Sequence, residues 1–172
     1  MKNHILFLLL AFLLCNCNVM KKLEDSVYIQ QRTSLNKAYP RIDSLLIVAN
    51  GNSATQRIME DVIPTFTEAL KKRGVTSTSV FVSYNDRRID EAEFNNRNYS
   101  FTFWIYEQDR SLQKLDGYDY LVPLAMKLTD NRTSDNVWIA TSVFNDIVKK
   151  KFYKEKYAGM LVLLFRANGI IK

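Results

Sequence analysis

The sequence predicts an α/β domain of the α+β sandwich kind. Its expected core is a mixed sheet of about five strands with two main helices packed on it, in the order β-α-β-β-β-β-α. Three observations lead there. A short unbroken apolar run is followed by an amphipathic helical pattern and then an alternating segment, which is a βαβ start. Three further segments alternate with period two. The C-terminal stretch returns to helical spacing. At 172 residues, 47% hydrophobic and 24% charged, the chain has the composition of one globular domain.

Residues 42–50 hold Leu45, Leu46, Ile47 and Val48, an apolar run suited to a buried strand. Asn50-Gly51-Asn52 reads as a turn, and Ser53 with Gln56 three residues on reads as a capping box. Ile58, Val62, Phe66 and Leu70 recur every four residues, with Met59 and Ile63 widening the stripe. Pro64 inside this pattern predicts a kink. Lys71, Lys72 and Arg73 suit the negative end of the helix dipole, and Gly74 suits a left-handed C-cap.

In residues 76–84, Thr78, Val80, Val82 and Tyr84 alternate with Ser77, Ser79 and Ser83, so a strand with a solvated serine face is expected. Residues 85–98 read as a polar loop. Residues 99–107 form an aromatic-rich strand, and 109–117 a connection. In 118–128 the apolar residues Tyr120, Val122, Leu124, Met126 and Leu128 share a face, and Pro123 predicts an edge strand or a bulge. A hairpin loop at 129–136 leads to a return strand at 137–144. A helix with five lysines (Lys149, Lys150, Lys151, Lys154 and Lys156) follows over 145–157. The apolar residues 160–165 fit a strand or a buried helix, and helix is preferred because residues 164–170 repeat the stop pattern of residues 70–75, with Gly169 in the place of Gly74; a break is expected at Ala158-Gly159.

The N-terminus carries the most function. Lys2 precedes ten apolar residues, 5–14, too few for a spanning helix of about 20 and right for the core of a secretory signal peptide. Leu14-Cys15-Asn16-Cys17 follows. Here the chain resembles bacterial lipoproteins, whose signal ends in a Leu-x-small-Cys box and whose cysteine becomes the lipidated first residue. The resemblance implies lipidation at Cys17, with Cys15 the less favoured acceptor. Asn16 departs from the usual small residue. The expected organisation is a signal peptide over 1–16, a lipidated N-terminus and flexible tether over 17–40, and one domain over 41–172. Within the tether, Val27, Tyr28 and Ile29 could add an edge strand or a short helix. Asp25-Ser26-Val27 and Asp43-Ser44-Leu45 match the short O-glycosylation sequence of one bacterial phylum.

Composition excludes much chemistry. His4 is the only histidine, and Cys15 and Cys17 are the only cysteines. The domain beyond residue 40 therefore cannot host a Ser-His-Asp triad, a Cys-His pair or a histidine-ligated zinc. Gly51-Asn52-Ser53 resembles the nucleophile block of GDSL-type esterases, but that chemistry needs a histidine base. Asp86, Asp90, Glu91 and Glu93 lack the ordered spacing and glycine of a calcium loop and read as a solvated loop. No catalytic, cofactor or metal residue is singled out.

The lysine-rich helix reads mainly as a solvated face and secondarily as a surface for anionic lipid or polymer. Trp104 and Trp138 read as core. Residues 128–133 and 137–140 resemble the strand–turn–strand of envelope lipoproteins with a small α/β sandwich, such as the curli-secretion channel and penicillin-binding-protein activator lipoproteins. That resemblance implies an assembly or regulatory role. The expected partners are a lipid bilayer through the acylated cysteine, and an envelope protein or anionic polymer, with no nucleic acid. A hydrolase using a carboxylate pair is the alternative.

Overall fold

The computed structural model describes residues 27–33, 41–83, 94, 98–108, 114–115, 119–145 and 151–172. The elements run β1 (Val27–Thr33), β2 (Ser44–Gly51), α1 (Ser53–Lys71), β3 (Thr76–Ser83), β4 (Phe101–Glu107), β5 (Lys114–Leu115), β6 (Asp119–Asp130), β7 (Asn136–Asn145) and α2 (Lys151–Ala167). The sheet order is β1-β7-β6-β4-β2-β3, with the two-residue β5 paired to β6. β3 and β4 both run parallel to β2, while β6, β7 and β1 pair antiparallel. This is the mixed sheet with two helices that the sequence predicts. The edge-strand alternative for Val27–Ile29 is the one found: β1 pairs with β7 from Val27↔Phe144 onward.

One face of the sheet carries the main core. Leu45, Ile47 and Ala49 of β2 join Phe101, Phe103 and Ile105 of β4, and Leu124, Met126 and Leu128 of β6. Onto them α1 lays Met59, Val62, Ile63, Phe66 and Leu70, the predicted stripe. α2 adds Tyr157, Ala158, Leu161, Val162 and Phe165. Phe165 packs edge-on to Phe66, Phe103 and Trp138, with ring centroids 5.2–5.6 Å apart. Each such aromatic pair contributes about 0.5–1.5 kcal/mol beyond its area.

Several local expectations change. α2 runs unbroken through Ala158 and Gly159, because Tyr157/Ala158, Leu161/Val162 and Phe165 keep one in-phase stripe. Pro64 lies inside α1, as expected, and is exposed. Pro123 sits in an interior strand. Its carbonyl accepts Gln108 N–H at 2.9 Å, just past the last β4 residue paired to β6, Glu107↔Leu124. N–H and C=O of one residue share a side in an antiparallel pair, so the donor proline lacks falls at the end of β4. The serines of β3 lie on the helix side, Ser77 and Ser79 beside Leu45 and Ile47; Ser79 is exposed, but so are Thr78 and Val80 on the other face, so solvation is not confined to the serine face.

The predicted helix stops are found. Gly74 has φ 75° and Val75 N–H bonds Leu70 O at 3.1 Å. Gly169 repeats this with φ 68° and Ile170 N–H to Phe165 O at 2.9 Å.

Candidate functional site

The turn after β2 is built around one buried carboxylate. β4 alternates Phe101, Phe103, Ile105 and Glu107 toward the core side, and Glu107 is only 5% exposed. Its Oε2 accepts Asn52 N–H at 2.8 Å and the Thr55 hydroxyl at 2.7 Å. Its Oε1 accepts Asn52 Nδ2 at 2.9 Å. Asn52 Oδ1 in turn accepts Thr55 N–H at 3.0 Å.

Asn52, rather than Ser53, is therefore the N-cap of α1. Gln56 does not close a capping box, since its amide donates to Glu60 at 2.8 Å. Glu107 takes that place, accepting the N-cap N–H from another strand. A negative charge here also suits the positive end of the helix dipole. Gly51 makes the approach possible: a Cβ there would lie 2.6 Å from Thr55 Cβ and 3.0 Å from Glu107 Oε2. With both its oxygens taken by donors, Glu107 organises the helix start.

The other buried carboxylate among the described residues is Asp130, 2% exposed. Arg132 grips it with two side-chain bonds of 2.9 and 3.1 Å, and these hold its carboxyl below the usual aspartate range. Asp130 pairs with Phe101, at the opposite end of β4 from Glu107. Six residues of strand separate the two by about 20 Å. A glycosidase pair needs roughly 5–9.5 Å, so these two carboxylates do not make one. Among the described residues, no three His, Cys, Asp or Glu side chains gather as a metal site.

The two sheet edges differ. β1 shifts register between Gln31 and Thr33 and carries Arg32. β3 holds unbroken register with β2 over eight residues and contains no charge and no proline. None of the described strands pairs with its outer side. Thr76, Thr78, Ser79 and Val80 are exposed, Val80 at 37%. Natural edges are commonly blocked by charge, proline or a bulge; β3 has none of these. On the face away from the helices, Leu46, Val48 and Trp104 form a second small core. Trp104 stacks on Tyr106 at 5.8 Å, and Lys127 lies 5.5 Å over the Trp104 ring.

No protein-family model matches the chain, and no curated protein matches it. Several solved structures are similar to it. One is a PelC dodecamer from Paraburkholderia phytofirmans, at TM-score 0.47 and 15% identity, covering 76% of this chain and 90% of that one. The lipoprotein GNA1162 from Neisseria meningitidis gives 0.45 and 12%, covering 74% and 99%. Protein XCC0632 from Xanthomonas campestris, of family DUF330, gives 0.43 and 11%, covering 80% and 94%.

Cys17, Cys15 and the carboxylates Asp86, Asp90, Glu91 and Glu93 lie outside the described residues, as do Lys149 and Lys150. Trp138 is fully buried in the main core and Trp104 in the second one. Lys154 ion-pairs with Asp61 of α1. Ser44 is held against Ser100 by a hydroxyl bond of 2.9 Å, and its Oγ also donates to Asp43. No described helix is long and apolar enough to cross a membrane. Sequence reasoning missed Glu107, although a lone glutamate in phase with Phe101, Phe103 and Ile105 was its signal.

Proposed function

We propose that this chain is a lipoprotein of the bacterial cell envelope, acylated at Cys17, whose domain has a binding or assembly role outside the cytoplasm. The observation that carries the reading is the sequence of ten apolar residues, 5–14, ending in Leu14-Cys15-Asn16-Cys17. Two or more acyl chains on one cysteine supply the stable attachment that a single chain does not. The domain supports a binding role in two ways. Its two described buried carboxylates are bound into helix and hairpin ends. Its β3 edge offers backbone donors and acceptors to an added strand of an envelope protein.

Fatty-acid labelling in cells tests the anchor. Cys17→Ser should lose the label and leave the membrane fraction, while Cys15→Ser keeps both. Label lost only in Cys15→Ser would move the acceptor, and label kept in both would sink the reading. A photocrosslinking residue at Ser79 in intact envelopes tests the edge. It should capture a reproducible protein adduct that the same probe at Glu155 does not. Equal capture at both positions would refute a role for β3.

A further inference from the structure

We propose that the strand added to β3 is the β3 of a second copy of this chain, paired antiparallel about a two-fold axis at Ser79. This rests on the reading of β3 as a binding edge and names its partner. Backbone direction sets the register. Thr76 N–H bonds Asp43 O at 2.9 Å, and Val82 O accepts Asn50 Nδ2 at 3.0 Å, so Thr76 and Val82 both turn toward β2. N–H and C=O of a residue share a side, and the side alternates along a strand, so Ser77, Ser79 and Phe81 turn theirs outward. No described strand meets them. A two-fold at Ser79 sets Ser79 against itself and Ser77 against Phe81 of the copy, and each pair exchanges both its bonds. On the face away from the helices, Thr78 meets Val80 and Thr76 meets Val82. Val80, 37% exposed, is thereby covered. Pairing like with like also requires a seam without charge, and Thr76–Ser83 has none.

The helices favour a second copy over a foreign strand. α1 packs over β2 and β3. α2 lies on the β7 side of it, since Lys154 reaches Asp61 and Tyr157 bonds Ser142 of β7. Gln56, Glu60, Ile63, Thr67 and Lys71 recur every three or four residues along the other flank of α1, above the β3 edge. Across the two-fold, the α1 axes stand about two strand spacings apart, roughly 10 Å, which is the separation of packed helices. The two copies of α1 run antiparallel. Lys71 lies near the level of Thr76, roughly 10 Å below Ser79. Glu60 lies about 16 Å higher along the helix, so roughly 6 Å above Ser79. The axis therefore brings Glu60 of one copy to within about one helical turn of Lys71 in the other. Both side chains are exposed and their charges are opposite, and Gln56 steadies Glu60 with a 2.8 Å bond. The two-fold matches both the strand and this flank to themselves.

Oxidative crosslinking of the full chain in intact envelopes tests the axis. Cα atoms of a directly opposed hydrogen-bonded pair lie about 5.5 Å apart, within disulfide reach. Ser79→Cys should therefore give a reducible species of twice the chain mass. Thr76→Cys should not, because Thr76 stands roughly 20 Å from its own copy; both positions are exposed. Glu60→Lys in the Ser79→Cys background should slow linking roughly fivefold, and adding Lys71→Glu should restore the rate. Equal linking of the two cysteines, or a linking rate indifferent to these charge reversals, overturns the two-fold. Ser79→Cys that stays unlinked, while a photocrosslinker at Ser79 captures a protein of another mass, overturns the second copy and leaves β3 a binding edge. No capture at Ser79 by either route overturns both.

Discussion

Replacing Glu107 by alanine removes the acceptor for three donors at once. Thr55, fully buried, loses the partner of its hydroxyl, and the Asn52 N–H and Nδ2 lose theirs. An unsatisfied buried donor costs about 1–3 kcal/mol. Loss of the charge at the helix N-terminus adds about 0.3–1 kcal/mol. Water entering the vacated space restores part of this, which leaves an expected loss of roughly 3–5 kcal/mol. Glu107→Gln keeps one acceptor oxygen for Asn52 N–H and Thr55 but turns an amide toward Asn52 Nδ2. The Asn52 amide cannot flip to relieve this without uncapping Thr55 N–H. The glutamine variant should therefore cost about 1–2 kcal/mol. Urea denaturation with unchanged slope measures both. Hydrogen exchange should localise the damage to the Asn52 and Thr55 amides. An alanine variant within about 1 kcal/mol of the parent, or a glutamine variant as damaging as alanine, would refute the capping argument.

Gly51→Ala should destabilise by about 1–3 kcal/mol, because its Cβ overlaps Thr55 and crowds the Glu107 carboxylate; a thermal melt reads this. Tyr157→Phe should cost about 1 kcal/mol through the lost 2.8 Å bond to Ser142. Burial pushes the Tyr157 phenol up, so the unfolded chain ionises first and stability falls as pH rises past the ordinary tyrosine range. The phenylalanine variant should show a shallower alkaline decline in urea midpoint. At acid pH the sign reverses. The Ser100 hydroxyl lowers Asp43, and Arg132 lowers Asp130. Their stabilisation is present above the unfolded aspartate range and is lost as pH falls through their lower folded values. Asp130→Asn should flatten that acid limb. Val80→Lys, a charge on the edge that no described strand pairs with, should abolish adduct formation at Ser79 while leaving the melting temperature within a few degrees.

Elements with strong local period were legible. The four-residue spacing from Ile58 to Leu70 gave α1, and the alternation from Val122 to Leu128 gave β6 with the expected face inward. Gly74 and Gly169 marked both helix stops. What failed needed information from elsewhere in the chain. Asn52 and Ser53 are both good N-caps, and the carboxylate that decides between them stands 55 residues away. Pro123 looks like an edge residue until the end of β4 is placed beside it. The continuity of α2 past Gly159 depends on what Leu161 and Phe165 pack against, which local spacing does not report.

The scarcity of chemical motifs in the domain has a physical reading. A site that binds by adding a strand uses backbone N–H and C=O groups, which every residue but proline supplies. Such a site requires only an edge of adequate length, straight register and no blocking charge. The uncharged run Thr76–Ser83 meets those conditions, while the opposite edge, with its register shift and Arg32, does not. A partner selected in this way leaves little mark on side-chain identity. On the proposed reading, the one residue whose chemistry is indispensable lies outside the sheet, at Cys17, and its acylation would fix where the edge is displayed. Specificity for the partner would come from the alternate side chains Thr78 and Val80, which project from the face opposite the helices beside Leu46 and Val48.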